Sequence, residues 1–93
     1  MSILKLSIVT PKGSFGPYEC DSVHITVSDN LKEKHGGSYG IRAGHANSMF
    51  ALEKGSITAF IAGKKILNGN SGDGYATVNN NVVNVVVEEY DEM

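Results

Sequence analysis

The chain has 93 residues and a mass of 9.9 kDa, which suits one hydrophobic core and excludes a second domain. Eight Lys and Arg against ten Asp and Glu leave a net charge of −2, which excludes a general electrostatic attraction to nucleic acid or anionic lipid. One cysteine excludes a disulfide framework and a cysteine-based zinc site. No signal peptide is visible, and no apolar run approaches the roughly 20 residues of a membrane helix. We therefore expect one soluble cytosolic domain, residues 1–93.

Apolar and polar residues alternate along most of the chain, and many of the apolar ones are β-branched. The alternating stretches are 4–8, 23–27, 57–61 and 75–77, with turns expected at 10–13, 63–65 and 79–81. In residues 82–87 valines stand at both odd and even positions, which predicts a strand covered on both faces. Breaks every 8 to 12 residues are typical of sandwiches and barrels. The sequence predicts an all-β fold, a two-sheet antiparallel β-sandwich of about ten short strands.

Four segments depart from the strand pattern. Residues 28–38 are polar and glycine-terminated, which predicts a long exposed loop, and residues 68–74 predict a tight glycine-rich connection. Only residues 46–54 could form one or two helical turns, with Gly55 as the cap. The segment 36–47 combines four glycines with Tyr, Arg and His. These residue types fit either an irregular crossover between the sheets or a protein interface.

The three histidines do not form a recognisable metal site. Zinc needs three or four converging ligands, but His24 lies within a strand, His35 lies in the polar loop, and no spacing brings His45 to them. Residues 68–74 hold one acidic residue, Asp73, where a calcium loop needs several. They also lead into a strand, whereas a phosphate loop leads into a helix. We expect a hairpin turn there, with no metal and no cofactor.

No catalytic constellation is visible in the sequence. Cys20 has an acidic neighbour and no cationic one, so we expect a small strand residue and not an activated thiolate. Ser14, Ser38 and Ser48 have no base at a suggestive spacing. The acidic run at 88–92 is expected to be a solvated tail, or to meet a basic partner. The chain is therefore expected not to be an enzyme.

Several motifs follow one another in the order that they have in one protein family. They are LKLSIVTPKG at 4–13, YECDSVHI at 18–25, GIRAGHA at 40–46, and SGDGYATV at 71–78 followed by NVVNVVV at 81–87. Together they resemble the amino-terminal β-sandwich of the epsilon subunit of rotary F-type ATP synthases, called delta in mitochondria. Ala43 and Asn47 stand where that family has prolines, Asp73 interrupts its Gly-Gly pair, and Ser38 stands where some relatives have Glu.

The resemblance implies a mechanical role. Such a domain lies at the foot of the central stalk, binds the gamma subunit and the ring of c subunits, and couples proton or sodium flow to ATP synthesis without catalysis. It implies a peripheral place on the cytoplasmic face of the bacterial inner membrane, with no lipid insertion and no nucleic acid partner. The family's carboxyl-terminal helical hairpin is absent from these 93 residues, so a short natural form or a truncation is expected, without nucleotide binding.

The resemblance also implies two partner surfaces. The surface facing the c-ring would comprise Ser38, Tyr39, Gly40, Ile41, Arg42, Gly44, His45, Ala46 and Asn47. The surface facing gamma would comprise Thr10, His45, Phe50 and Ser71. Arg42 and His45 are expected to contribute most, because arginine makes directed multi-donor contacts and His45 lies in the best-matched motif.

Two other functions remain open on the residues alone. A free-standing β-sandwich could bind a small molecule or a sugar in a pocket lined by aromatic side chains. The chain has no Trp, and its four Tyr and three Phe are scattered over separate strands, which disfavours that function. A small hydrolase would need a nucleophile paired with a base, and no such pair can be identified.

Overall fold

Ten strands make up the regular structure of the described residues. The computed structural model describes residues 3–27 and 37–93, so residues 28–36 of the loop predicted at 28–38, with His35, lie outside the described residues. The strands are β1 (Leu4–Thr10), β2 (Gly13–Cys20), β3 (Ser22–Val27), β4 (Gly37–Arg42), β5 (Ser48–Leu52), β6 (Gly55–Ile61), β7 (Lys64–Ser71), β8 (Gly74–Asn79), β9 (Val82–Val87) and β10 (Tyr90–Glu92). The prediction of an all-β fold is confirmed.

The strands pack as two layers. One layer has the order β4-β3-β6-β7-β10 and the other has the order β5-β8-β9-β1-β2. The layers are continuous at one corner, where Val27 pairs with Leu52. Neighbouring strands are antiparallel except β1 and β9, which run parallel. The predicted sandwich is confirmed; its one parallel pair forms because a long crossover through the rest of the chain brings β9 back beside β1.

Alternate residues of both layers form the core. Leu6 and Ile8 of β1 are fully buried, and they share one apolar cluster with Val85 of β9 and with Ile25 and Ile57 of the other layer. Because side chains of a strand point alternately to its two faces, the period of two seen in the sequence places these residues between the layers. The outward residues of each strand remain available for contacts.

Two hairpins end in pairs of residues with positive φ. Ala62 and Gly63 join β6 to β7 with φ of 50° and 79°, and Asn80 and Asn81 join β8 to β9 with φ of 50° and 65°. Two consecutive residues of this kind form the turn whose twist matches that of the flanking strands, and asparagine and glycine tolerate it best. The turn predicted at 79–81 is confirmed, whereas the one predicted at 63–65 is formed by Ala62 and Gly63, because Lys64 and Lys65 already belong to β7.

The helical prediction at 46–54 is wrong. Ser48–Leu52 is β5, which pairs in regular register with β8. Gly55 opens β6 instead of capping a helix, and a Cβ there would lie 2.5 Å from the Thr26 hydroxyl oxygen. A segment this short has only a weak helical preference, so strand pairing decides its structure.

The two glycine-rich segments are largely strand. Residues 37–42 form β4 opposite β3, so the expected loop at 36–47 is reduced to a turn at 43–47. Residues 68–71 belong to β7, and only Gly72 and Asp73 connect it to β8. In β9 the buried side chains alternate and Val82 is 38% exposed, so the prediction of coverage on both faces is wrong.

Tyr90 of β10 is buried although its hydroxyl group is unpaired. Its ring lies across Gly69, where a Cβ would come within 2.6 Å of the ring carbons, and meets the ring of Phe15 edge-on at a centroid distance of 5.1 Å. Within the described residues the hydroxyl has no hydrogen-bond partner. Burial, followed by the negative charge of Glu92 and the neighbouring Tyr18, raises the pKa of Tyr90 to about 12.

Replacing Tyr90 by phenylalanine is expected to stabilise the fold by about 1 kcal/mol, because it removes a polar group that loses its hydration on folding. For a domain of this size the melting temperature would rise by roughly 4–8 °C. Thermal unfolding followed by circular dichroism measures this. Tyr75→Phe is the control, since Tyr75 is 45% exposed and its hydroxyl is hydrated in both states. A lower melting temperature for Tyr90→Phe would show that the hydroxyl is bonded.

Cys20 makes the fold sensitive to alkaline pH. Its side chain is fully buried, and burial, with a smaller contribution from the Asp21 carboxylate, raises the pKa of the thiol from 9.0 to about 11. The folded state therefore retains a proton that the unfolded chain releases. The thiol's contribution to stability is complete below pH 9 and is lost as the pH rises towards 11. Cys20→Ala is expected to flatten the fall in unfolding free energy across this window in urea titrations, whereas the control Ser22→Ala should leave it unchanged. An unchanged slope in Cys20→Ala would contradict the assignment.

Candidate functional site

Three aromatic rings form a platform at one side of the sandwich. Tyr39, His45 and Phe50 meet in pairs, with ring centroids 4.7 Å apart for Tyr39 and Phe50, 5.8 Å for Tyr39 and His45, and 6.0 Å for His45 and Phe50. We call this group the aromatic platform. Tyr39 lies on β4 and Phe50 on β5, so the platform joins the two layers of the sandwich.

Hydrogen bonds fix the ring of His45. Its Nδ1 atom lies 2.7 Å from the carbonyl oxygen of Ala46, and its Nε2 atom lies 3.0 Å from the Tyr39 hydroxyl oxygen. Because a carbonyl oxygen can only accept, Nδ1 donates to it, and Nε2 accepts a hydrogen bond from the Tyr39 hydroxyl. His45 is therefore held in one tautomer and one orientation, as a residue that must present a defined surface should be.

The turn at 43–47 is tied to the neighbouring β8–β9 hairpin. The Gly44 N–H donates to the side-chain oxygen of Asn81 at 2.7 Å, and the Asn80 N–H donates to that of Asn47 at 3.2 Å. Gly44 has φ of 87°, a conformation that favours glycine, and the His45 N–H closes the turn on the Arg42 carbonyl at 3.0 Å. The GIRAGHA motif thus ends in a rigid turn beside the aromatic platform.

The residues predicted to face a ring lie along β4 and this turn. The exposed ones are Ser38, Tyr39, Gly40, Arg42, Gly44, Ala46 and Asn47, and His45 is half-buried. Ile41 is fully buried in the core, so its side chain cannot meet a partner. Alternation along β4 also separates the rest, since Tyr39 points to the same side as Ile41 whereas Ser38 and Arg42 point to the outer face.

The residues predicted to face gamma are not brought together. His45 and Phe50 belong to the aromatic platform, whereas Thr10 lies at the far end of β1, where its hydroxyl donates to the Gly13 carbonyl at 2.9 Å. Ser71 ends β7, and its side chain is buried. One flat surface cannot contact all four side chains.

An exposed apolar strip that was not predicted from the sequence lies on the outer face of the β5-β8-β9-β1-β2 layer. Val9, Val86, Tyr75 and Ala51 are direct register neighbours across β1, β9, β8 and β5. Val9 is 38% exposed and Tyr75 45%, and an apolar groove of about 340 Å³ runs beside them. Exposed Met49 and Val82 lie on the same face. We call these residues the apolar strip. The sequence feature that could have indicated it is the pair Val82 and Val86, which lie on the outer face of β9 and are not buried.

The described residues do not suggest metal chemistry. In the ranges 3–27 and 37–93 no three His, Cys, Asp or Glu side chains converge as metal ligands. Nor does any helix in those ranges have the length and apolar character to cross a membrane. His24 lies on the outer face of β3, away from His45, and its ring packs edge-on against Phe60 at 5.4 Å.

Comparison with known families decides the classification. Residues 3–92 match the family described as the β-sandwich domain of the ATP synthase delta/epsilon chain. The chain belongs to this family. The match covers both layers of this delta/epsilon domain, and with them the aromatic platform and the apolar strip.

Solved structures show the same fold. A chain of the Euglena gracilis mitochondrial ATP synthase, in a cryo-EM structure of OSCP/F1/c-ring in rotational state 1, matches with a TM-score of 0.78, 21% identity and 99% of this chain covered. A chain of the Tetrahymena thermophila mitochondrial ATP synthase, in a structure of the central stalk and c-ring, matches with a TM-score of 0.68, 14% identity and 95% covered. The delta/epsilon domain spans 54% and 65% of the lengths of those two chains. A search of curated proteins returns no sequence match.

The residues that depart from the family motifs have structural roles in this delta/epsilon domain. Asn47, in place of a proline, supplies the oxygen that accepts from the Asn80 N–H. Asp73, which interrupts the Gly-Gly pair, accepts from the Lys54 N–H at 2.9 Å and so links the β7–β8 connection to the β5–β6 turn. Ala43 packs against the core. Each of these three residues therefore takes part in a local hydrogen bond or in packing.

Proposed function

We propose that this chain is a rotor subunit of the central stalk of a rotary ATP synthase, binding the gamma subunit and the c-subunit ring and coupling ion flow to ATP synthesis. The observation that carries the proposal is the match of residues 3–92 to the delta/epsilon β-sandwich family. The likeness to chains from an OSCP/F1/c-ring assembly and a central stalk/c-ring assembly supports it. The coupling ion would be a proton or sodium.

The turn at 43–47 and the aromatic platform are proposed as the surface facing the ring. Tyr39 is a residue type that recurs at binding hot spots, and the hydrogen bonds of His45 hold the Tyr39 and His45 rings in place before binding. A rigid surface loses little conformational freedom when a partner docks. Such rigidity suits a part that transmits torque.

The apolar strip is proposed as the main surface for gamma. Thr10 lies at one end of this layer, and the hairpin at 79–82, bonded to the turn at 43–47, lies at the other end. A partner lying along the outer face would therefore reach from Thr10 to the neighbourhood of His45 without meeting Ser71. Exposed apolar area of this kind is what a permanent partner buries.

In this role the chain catalyses no reaction and holds no cofactor. The catalytic chemistry would lie in other subunits, and this chain would transmit rotation. We place it on the membrane-associated ATP synthase, at the cytoplasmic face if the source is bacterial. Its acidic end would stay in solvent or meet basic residues of the stalk.

Adding the chain back to a depleted enzyme tests the proposal. Membrane vesicles would carry the ATP synthase from the same genome, stripped of its delta/epsilon subunit. ATP-driven ion pumping, read from a pH-sensitive or sodium-sensitive dye, should return on addition of the chain. Tyr75→Asp, which places a charge in the apolar strip, should fail to restore pumping. ATP hydrolysis that stays uncoupled from pumping after addition of the wild-type chain would contradict the role.

A further inference from the structure

A second recess lies on the outer face of the β4-β3-β6-β7-β10 layer, where strands β4, β3 and β6 run side by side. It encloses about 550 Å³, and its lining includes Asp21, Ser22, His24, Arg42 and Phe60. We call it the Arg42 recess. The apolar strip lies on the other layer, so the two surfaces can be occupied by different partners.

Gly40 exposes the His24 ring to this recess. A Cβ at Gly40 would lie 3.2 Å from His24 Nε2 and 3.4 Å from its Cδ2 atom. Gly40 lies within β4 opposite His24 and does not have positive φ, so the backbone conformation alone does not demand glycine. A glycine inside a strand often marks a place where another group approaches closely. Here the missing Cβ leaves room for the edge of an imidazole ring, which lies against Gly40 in the recess.

The buried Nδ1 atom of His24, which has no partner within the described residues, favours the tautomer in which Nε2 is the donor. A buried N–H without an acceptor is more costly than a hydrated one, so the ring proton belongs on Nε2, beside Gly40. The recess thus has an N–H group that no acceptor in the described part of the chain uses.

Two cationic side chains lie at this recess or beside it. Arg42 is exposed at the rim and forms no ion pair with any described residue, and the Lys65 ammonium lies 5.9 Å from the centroid of the Phe60 ring. Asp21 also lines the recess, but one of its carboxylate oxygens already accepts from the Ala62 N–H at 2.8 Å. The lining holds one cation, Arg42, and one anion, Asp21, and Lys65 beside Phe60 makes the local charge positive. On a chain with a net charge of −2, this local positive charge favours an anionic ligand.

We propose that the Arg42 recess binds an acidic side chain of an extended segment of a partner protein. The carboxylate would accept from the Arg42 guanidinium and from His24 Nε2, and its aliphatic stem would lie on the Phe60 ring. The free oxygen of Asp21 would accept from the segment's backbone N–H. This inference goes beyond the stalk role and does not rest on it, because it concerns the chemistry of one face of the isolated domain.

Nuclear magnetic resonance titration of the full chain with a capped tetraglutamate peptide tests it. The peptide should cause saturable shifts in the amides of Gly40 and Gly63 and in the ring signals of His24. Arg42→Gln should weaken the affinity at least 5-fold by the loss of the charged donors. Lys12→Gln is the matched control, since it removes the same kind of charge from the opposite end of the sandwich, and it should bind like the wild type.

Two further probes separate the possible occupants. A capped tetraglutamine peptide should cause no saturable shifts, because it lacks the carboxylate. Inorganic phosphate should bind more weakly than tetraglutamate. Phosphate binding as tight as peptide binding would overturn the proposal in favour of a small-anion site. Equal affinities of Arg42→Gln and Lys12→Gln, or no saturable shift with tetraglutamate, would overturn it altogether.

Discussion

Gly74→Ala is expected to destabilise the fold by roughly 3 kcal/mol, the high end of the cost of overpacking. Gly74 opens β8 and pairs with both Leu52 and Val87. A Cβ there would overlap the carbonyl oxygen of Val86 and lie 2.7 Å from the Cα atom of Val87. Both obstacles belong to the backbone of a central strand, so relief requires moving β9 and not a side chain. The melting temperature should fall by roughly 4–8 °C per kcal/mol.

Gly37→Ala is the control for this comparison. Gly37 also begins a strand, but a Cβ there meets nothing within 4 Å among the described residues. The free energies of unfolding of the two variants, measured in urea, should therefore differ by most of the expected roughly 3 kcal/mol. If both variants were as stable as the wild type, the close approach of β8 and β9 would be wrong.

His45→Ala is expected to weaken binding to the complex of gamma and the c-ring roughly 30-fold, which corresponds to about 2 kcal/mol. The substitution removes the acceptor of the Tyr39 hydroxyl and the donor to the Ala46 carbonyl, so the platform loses both its contact surface and its fixed geometry. Tyr39→Phe keeps all three rings and removes one hydrogen bond. Its effect should therefore be several-fold smaller than that of His45→Ala.

To measure the affinity, the complex of gamma and the c-ring is immobilised on a surface, and each variant is passed over it in a concentration series. Lys54→Ala is the matched control, because Lys54 lies in the turn between β5 and β6, away from the aromatic platform. Each variant is first checked by circular dichroism for an unchanged fold. A His45→Ala chain that binds like Lys54→Ala would remove His45 from the interface.

Much of the fold could be predicted from the sequence because one physical signal dominates it. Inward residues such as Leu6 and Ile25 alternate with polar ones, and a period of two has few explanations other than a half-buried strand. The turn at Asn80 and Asn81 was equally visible, because asparagine tolerates positive φ. Strand count and architecture follow from these signals.

Local propensity misled where tertiary pairing decides the structure. Residues 48–52 have no strong period, and they form β5 because β8 offers a partner along their whole length. Glycines at 37 and 40 indicated a loop, but β3 pairs with β4 across six residues. Neither partner strand can be identified from local sequence, since pairing joins residues far apart in the chain.

The candidate site was only partly predictable for a related reason. Tyr39 and His45 were singled out by residue type, but their hydrogen bond to one another depends on how β4 runs into the turn. The apolar strip escaped notice because its members come from four strands and are adjacent only through register. Burial of Ile41 and Ser71 likewise follows from packing and not from their residue types.

The stalk assignment is tested most directly by the stoichiometry of the chain with the gamma subunit from the same genome. Both proteins would be purified, mixed and analysed by size-exclusion chromatography with light scattering. The assignment predicts a stable one-to-one complex that Tyr75→Asp, in the apolar strip, fails to form. A wild-type chain that elutes apart from folded gamma, and that also fails to join gamma already assembled on the c-ring, would contradict it.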